Sequence, residues 1–153
     1  MSTVPTVAEG FDYVTRFMDE LVAFNKHLGI TVYHLTSGHC VLRLPPAPFL
    51  TGDPMRPAIH GGVLSTLIDT AGGAACFTRA ESNDRLSTVD MRVDYLRPGP
   101  CGIELWCEGT VVRMGNRVAV ARMEVFAAES FAQREVGAPI ATGQAVYSVV
   151  RAR

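Results

Sequence analysis

The chain has 153 residues, of which 48% are hydrophobic and 19% charged, and this composition is typical of one folded domain and not of a disordered chain. Its 14 basic and 15 acidic side chains give a formal net charge of −1, which leaves no positive excess for a nucleic-acid backbone. Residues 63–77, the longest apolar run, are too few to span a bilayer, and residues 1–10 lack the pattern of a secretory signal. We therefore expect a cytoplasmic protein that binds neither nucleic acid nor membrane.

The first half of the chain predicts one helix, one extended segment and a loop. Apolar side chains recur at three- and four-residue steps over residues 7–28, which is typical of an amphipathic helix, and Gly29 follows where such a helix ends. Residues 30–44 are rich in strand-forming side chains. Residues 45–59 contain five prolines, which exclude a central strand or a helix interior and favour a long ordered loop.

The second half predicts a buried helix followed by strands. Residues 63–77 are apolar on nearly every side, as expected of a helix inside a core. Four later segments are predicted strands, most of them with apolar side chains at every second position. Turn residues such as Gly115 and Asn116 separate the first three of these segments. Short turns favour antiparallel pairing between successive strands. The sequence therefore predicts an α+β fold in which an antiparallel sheet wraps around one central helix.

The expected domain organisation is a single unit, residues 1–153, with an N-terminal helix over residues 1–29 and a core over residues 30–151. The cysteines have no CxxC pair and no neighbouring histidine in a zinc-ligand pattern, so reduced and mostly buried thiols and no metal site are expected. Cys101 and Cys107 are expected to lie in one strand and point to the same face.

Asp69 is the residue whose position most needs an explanation. It stands in the middle of the apolar helix, where an ionised carboxylate is costly unless it is paired, hydrogen-bonded or open to a cleft. One interpretation is a functional carboxylate in a cleft. The other is an aspartate that binds a nearby backbone group or points to solvent from a narrow polar stripe.

The tripeptide His60-Gly61-Gly62 precedes this helix. Helix N-termini expose unpaired N–H groups, and Gly61 and Gly62 would let a ligand approach the backbone closely. This arrangement suits a carbonyl oxygen that becomes negative in a transition state. Alternatively, the glycines only form a tight corner and His60 is a structural histidine.

The spacing between these two features predicts a shared site. His60 and Asp69 are nine residues apart, which is ~13 Å along one helix. Both groups cannot reach one carbonyl across that distance. If both are catalytic, two antiparallel copies of the helix bring Gly61 of one chain to Asp69 of the other, in a homodimer or a dimer of dimers with the site at its two-fold interface.

These residues also resemble a known family. The run from His60 to Leu64 (HGGVL), Asp69, and the segment Ser87–Pro98 (STVDMRVDYLRP) together resemble the PaaI-like hotdog-fold acyl-CoA thioesterases, over roughly residues 30–150. The resemblance implies a hotdog fold, hydrolysis of an acyl or aryl-acyl thioester of coenzyme A, and no cofactor. It implies that Asp69 is the general base or nucleophile and that the Gly61 N–H stabilises the oxyanion. In the same way His60 orders the corner and the Thr88 hydroxyl helps to place water.

The resemblance also implies substrate contacts. Arg97, Asn116 and Arg117 are similar to positions that meet the nucleotide and phosphates of coenzyme A. Many relatives carry an asparagine six residues before the histidine, where this chain has Pro54, and Asp53 stands where a Gly-Asn-Pro variant of the family has asparagine. Two other functions stay open, namely an acyl-thioester hydratase or dehydratase on the same fold, and a non-catalytic module that binds acyl-CoA.

Overall fold

A computed structural model of the protein describes residues 6–152. Seven strands form one sheet, and a small two-stranded ladder stands apart from it. The strands of the sheet are β1 (Thr6–Val7), β2 (Thr31–Thr36), β3 (His39–Leu44), β6 (Arg85–Tyr95), β7 (Leu105–Met114), β8 (Val118–Ala127) and β9 (Ala141–Val150), and the ladder is β4 (Thr51–Asp53) and β5 (Ala58–Ile59). The order of the strands across the sheet is β1-β2-β3-β7-β8-β9-β6.

One long helix, α3 (Gly61–Phe77), packs against this sheet, so the predicted α+β architecture is confirmed. The helix buries its apolar side chains against inward-facing positions of β7, β8 and β9. Two glycines allow the close approach. A Cβ on Gly109 would lie 2.8 Å from the carbonyl oxygen of Ala71, and one on Gly143 would collide with Ile68. Gly109 therefore serves helix packing, and the bulge of β7 lies further on, between Val111 and Arg113.

The N-terminal segment differs from the predicted continuous helix. It consists of α1 (Asp12–Arg16), a π-helical turn (Phe17–Leu21) and α2 (Ala23–Leu28), and Val22 between them is extended. Asn25 is the physical reason for the break, because its buried side-chain amide donates to the carbonyl of Met18 at 3.1 Å and replaces a helical bond. Gly29 ends α2 with a φ of +84°, as predicted.

Three further predictions are corrected. Residues 30–44 are a hairpin, because the chain reverses at Gly38, whose φ is +77°. Residues 45–59 are mostly loop but include a turn of 3-10 helix (Pro48–Leu50) and the β4–β5 ladder. Cys101 lies in a turn before β7 and not in the strand with Cys107, although the four cysteines are free thiols as expected.

The strand order also departs from simple succession. β6 pairs with β9 and not with β7, and the segment between β6 and β7 contains Pro98 and Pro100, which have no N–H to donate to a ladder. That segment is tied to β5 instead, where the N–H of Ile59 donates to the carbonyl of Gly99 at 2.9 Å. As a result, β6 has a strand on one side only among the described residues.

No helix within residues 6–152 combines the length and the apolar character that crossing a membrane requires.

Candidate active site

The start of α3 is built by His60. Its backbone is extended (φ −60°, ψ 130°), and its Nδ1 accepts a hydrogen bond from the N–H of Gly62 at 2.9 Å. The histidine is therefore the N-cap of the helix. Within residues 6–152 the N–H of Gly61 has no hydrogen-bond partner, so this donor is free to meet a ligand.

Gly61 opens on a shallow cleft of about 270 Å³. The Tyr95 hydroxyl donates to the Gly61 carbonyl at 3.2 Å, and the ring would lie 3.4 Å from a Cβ on Gly61. This contact aligns the end of β6 with the start of α3. The cleft is lined by Ile59, Gly61, Leu64, Tyr95, Leu96, Arg97, Pro98 and Gly99.

Asp69 lies two turns further along α3 and is half-buried. Thr88 on β6 donates from its hydroxyl to Asp69 Oδ1 at 2.7 Å. Among the described residues, Asp69 forms no ion pair with a lysine, arginine or histidine. The carboxylate is thus held by one neutral donor, which leaves its charge uncompensated and available for chemistry.

Tyr147 on β9 supports the same turn of the helix. Its hydroxyl donates to the backbone carbonyl of Asp69 at 2.9 Å. Burial, and after it the charge of Asp69, raise the pKa of Tyr147 well above its usual range, so the phenol remains a protonated donor. The sequence singled out Asp69 but not this tyrosine, whose only signal was its inward position in the last strand.

The Asp69 carboxylate borders a second cleft, of about 150 Å³. One wall comes from the N-terminal segment. The available signal was Asn25, a polar residue among the apolar positions of the predicted helix. The cleft is lined by Phe17, Met18, Val22, Asn25, Asp69, Thr70, Gly73, Phe77, Leu86, Thr88 and Tyr147.

The two clefts share no lining residue. Gly61 and Asp69 are eight residues apart on α3, a separation of ~12 Å along the axis. A single chain therefore brings Asp69 together with Thr88, and brings Gly61 together with Arg97, but keeps the two pairs apart.

The other predicted substrate contacts lie away from the Asp69 cleft. Asp53 accepts hydrogen bonds at its Oδ1 from the N–H groups of Met55 and Arg56, at 2.9 and 3.1 Å, so its carboxylate holds the turn between β4 and β5. Asn116 and Arg117 form the tip of the β7–β8 hairpin and line a separate surface depression.

Among the predicted substrate contacts, Arg97 borders one of the two clefts. It lines the Gly61 cleft, and its Nη2 donates to the carbonyl of Pro139 at 3.2 Å. That bond leaves the rest of the guanidinium open to the cleft.

Comparisons with known proteins show which family the chain resembles. A family model described as the thioesterase superfamily matches residues 57–130. The chain is similar to the medium/long-chain acyl-CoA thioesterase YigI of Escherichia coli, with 33% identity over 138 residues that cover 82% of this chain and 88% of that protein.

Solved structures extend the similarity to the fold. A protein from Shewanella oneidensis related to the thioesterase superfamily shares 31% identity at a TM-score of 0.76, over 93% of this chain and 96% of that one. A variant of the phenylacetic acid degradation protein PaaI from Thermus thermophilus shares 25% identity at a TM-score of 0.70, over 85% of this chain and 99% of that one. The hotdog architecture expected from the sequence is therefore confirmed.

Proposed function

The chain belongs to the thioesterase superfamily and is a thioester hydrolase, and we propose that its substrates are aliphatic acyl thioesters of coenzyme A. One observation carries this proposal. The half-buried Asp69 accepts a hydrogen bond from Thr88, has no cationic partner among the described residues, and borders an apolar cleft. The similarity to YigI, which is named for medium- and long-chain acyl-CoA, supports an aliphatic acyl group.

The proposed chemistry uses Asp69, water and a backbone amide. In one route the carboxylate removes a proton from water while the oxygen attacks the thioester carbonyl, and coenzyme A leaves as the thiol after protonation. In the other route the carboxylate attacks first, the thiolate leaves, and water opens the resulting mixed anhydride. The Gly61 N–H stabilises the oxyanion in both routes, and neither requires a metal ion or a cofactor.

The proposed site is shared between two copies of the chain. The free edge of β6 carries both Thr88 and Tyr95, which border the Asp69 and the Gly61 clefts respectively. Antiparallel pairing of β6 with its copy would place Thr88 of one chain near Tyr95 of the other, and so join the two clefts. An edge strand of 11 residues is also a natural template for such pairing.

Coenzyme A would then lie between the two clefts. Arg97 borders the Gly61 cleft and is the candidate for a phosphate contact, because guanidinium groups bind phosphate oxygens well. Asn116 and Arg117 on the β7–β8 hairpin are proposed as a second contact with the nucleotide. His60 supports the Gly61 donor by capping the helix.

A thiol-release assay with acyl-CoA substrates tests the proposal. Asp69→Asn keeps the size of the side chain and its ability to accept from Thr88, but removes the base, so we expect kcat to fall by about 10²–10⁴-fold. Glu124→Gln, at an exposed glutamate of β8 that lines neither cleft, is the matched control and should retain activity. Treatment with a chelator should leave the rate unchanged.

Two outcomes would contradict the assignment. Addition of water to an enoyl thioester without release of thiol would indicate a hydratase. Tight binding of acyl-CoA without turnover would indicate a binding module.

A further inference from the structure

The cleft beside Asp69 runs along α3. Asp69, Gly73 and Phe77 follow one another at four-residue intervals and therefore lie on one face of the helix, with ~12 Å between the first and the last. Gly73 lies on the floor one turn from the carboxylate. Phe77 lies two turns away, where α3 ends.

The far end of this cleft is closed by two aromatic rings. The ring of Phe17 packs against that of Phe77 with 5.7 Å between their centroids. Phe17 belongs to the π-helical turn and its side chain is 43% exposed, so it stands at the boundary between the cleft and solvent.

The π-helical turn is held in this position from two sides. Asp19 accepts a hydrogen bond from the N–H of Val32 at 2.8 Å, which ties the turn to β2. On the other side Asn25 donates to Met18 and lies within hydrogen-bond distance of the hydroxyl of Thr70, the neighbour of Asp69. The wall over the cleft is therefore fixed relative to the carboxylate.

We propose that this cleft receives the acyl chain of the substrate and that Phe17 and Gly73 determine the chain length. The inference rests on the proposed function, because it takes the thioester carbonyl to lie at Asp69. An unbranched hydrocarbon chain is the occupant that fits, since the cleft runs ~12 Å along α3 from the carboxylate and its lining beyond that carboxylate is mainly apolar. Phe17 limits the length at the far end, and the missing side chain of Gly73 provides the depth.

Two substitutions should change the specificity in opposite directions. Phe17→Ala opens the far end, so the ratio of kcat/KM for hexadecanoyl-CoA to that for octanoyl-CoA should rise by about tenfold, a discrimination typical of small changes in an apolar pocket. Gly73→Ala adds a methyl group to the floor, so the ratio for octanoyl-CoA to acetyl-CoA should fall by about tenfold.

Gly73→Ala is expected to fold, so the test does not depend on the folding of Phe17→Ala alone. A Cβ on Gly73 would lie 3.6 Å from the Tyr147 ring, which is an ordinary contact, and alanine is a better helix former than glycine. Phe24→Ala is the matched control, because Phe24 is an exposed phenylalanine of the same N-terminal segment that does not line the cleft. Its two ratios should equal those of the wild type.

The outcomes distinguish an error in the assignment of the cleft from an error in the proposed function. Opposite shifts in the Phe17 and Gly73 variants, with none in the Phe24 variant, support the assignment. If thiol is released but either ratio stays within about twofold of the wild type, or if Phe24→Ala matches Phe17→Ala, the assignment of the cleft is wrong and the hydrolase function stands. Failure of the wild type to release thiol from any acyl-CoA would overturn both.

Discussion

The hydroxyl of Thr88 donates a hydrogen bond of 2.7 Å to the carboxylate of Asp69, and this contact joins the edge strand β6 to the middle of α3. It fixes Oδ1, while Oδ2 has no hydrogen-bond partner among the described residues. Because a hydrogen bond to a charged group contributes more than one between neutral groups, the contact defines the orientation of the carboxylate.

Removal of the Thr88 hydroxyl should therefore slow the reaction. Thr88→Val keeps the branched shape that suits a strand but cannot donate, and we expect kcat to fall by about tenfold or more with a smaller change in KM. Thr88→Ser restores the donor and should recover most of the rate. Equal kcat values for the valine and serine variants would show that the hydroxyl has no part in the reaction.

The Gly61 N–H can be removed without removing the helix. Proline is well tolerated at the first position of a helix, and the extended backbone of His60 is the conformation that precedes a proline. Gly61→Pro should lower kcat by about 10²–10³-fold, as expected for the loss of one oxyanion donor. Gly61→Ala keeps the N–H, so its kcat should remain within a few-fold of the wild type.

Subunit mixing tests whether the site is shared. A heterodimer of Asp69→Asn and Gly61→Pro chains contains one intact site, because each chain provides the group that the other lacks. With random exchange, half the dimers are mixed, and the activity should return to about a quarter of the wild-type value. If exchange is demonstrated by labelled subunits and no activity returns, each site lies within one chain.

The His60 cap should contribute to stability. His60→Ala removes the acceptor of the Gly62 N–H and should lower the free energy of unfolding by about 1 kcal/mol, measured by urea denaturation. His60→Asn offers another acceptor at the N-cap and should recover most of this loss. If the role of His60 is purely structural, the two substitutions change the stability in this way, and the kcat of the folded variants stays close to that of the wild type.

The contacts of Glu108 predict that the stability of the protein falls at acid pH. Its hydrogen bond with His39, at 2.8 Å, and the charge of Arg134 lower the pKa of Glu108 below its usual range despite burial. A lowered pKa in the folded state means that the stabilisation is present above about pH 4.5 and is lost as the pH falls through the lowered value. Glu108→Gln should cost about 2 kcal/mol at neutral pH.

The difference between Glu108→Gln and the wild type should shrink as the solution is acidified below pH 4.5, as measured by urea unfolding at several pH values. Glu20→Gln, at an exposed ion pair, is the control and should change little. A difference that stays constant with pH would mean that ionisation of Glu108 does not stabilise the fold.

Some of the candidate site could be predicted from local sequence. Asp69 was recognisable because an ionisable side chain inside an apolar helix is costly, and the glycines after His60 marked a helix start that exposes N–H groups. Asn25 and Tyr147 carried only weak signals, since an asparagine among apolar positions and a tyrosine in a strand have many ordinary uses. The prediction of a continuous helix over residues 7–28 was also wrong. The side chain of Asn25 binds the carbonyl of Met18, seven residues earlier, and interrupts the helical hydrogen bonds.

By itself, the sequence determined the local features of this protein, namely the buried helix with its single carboxylate, the period-two strands and the glycine-rich helix start, because these depend on neighbours along the chain. Only the tertiary structure decided that β6 pairs with β9 and ends the sheet, that Thr88 meets Asp69, and that the N-terminal segment walls the cleft. These features come from contacts between residues far apart in sequence, and their energies depend on register and packing that no local pattern specifies.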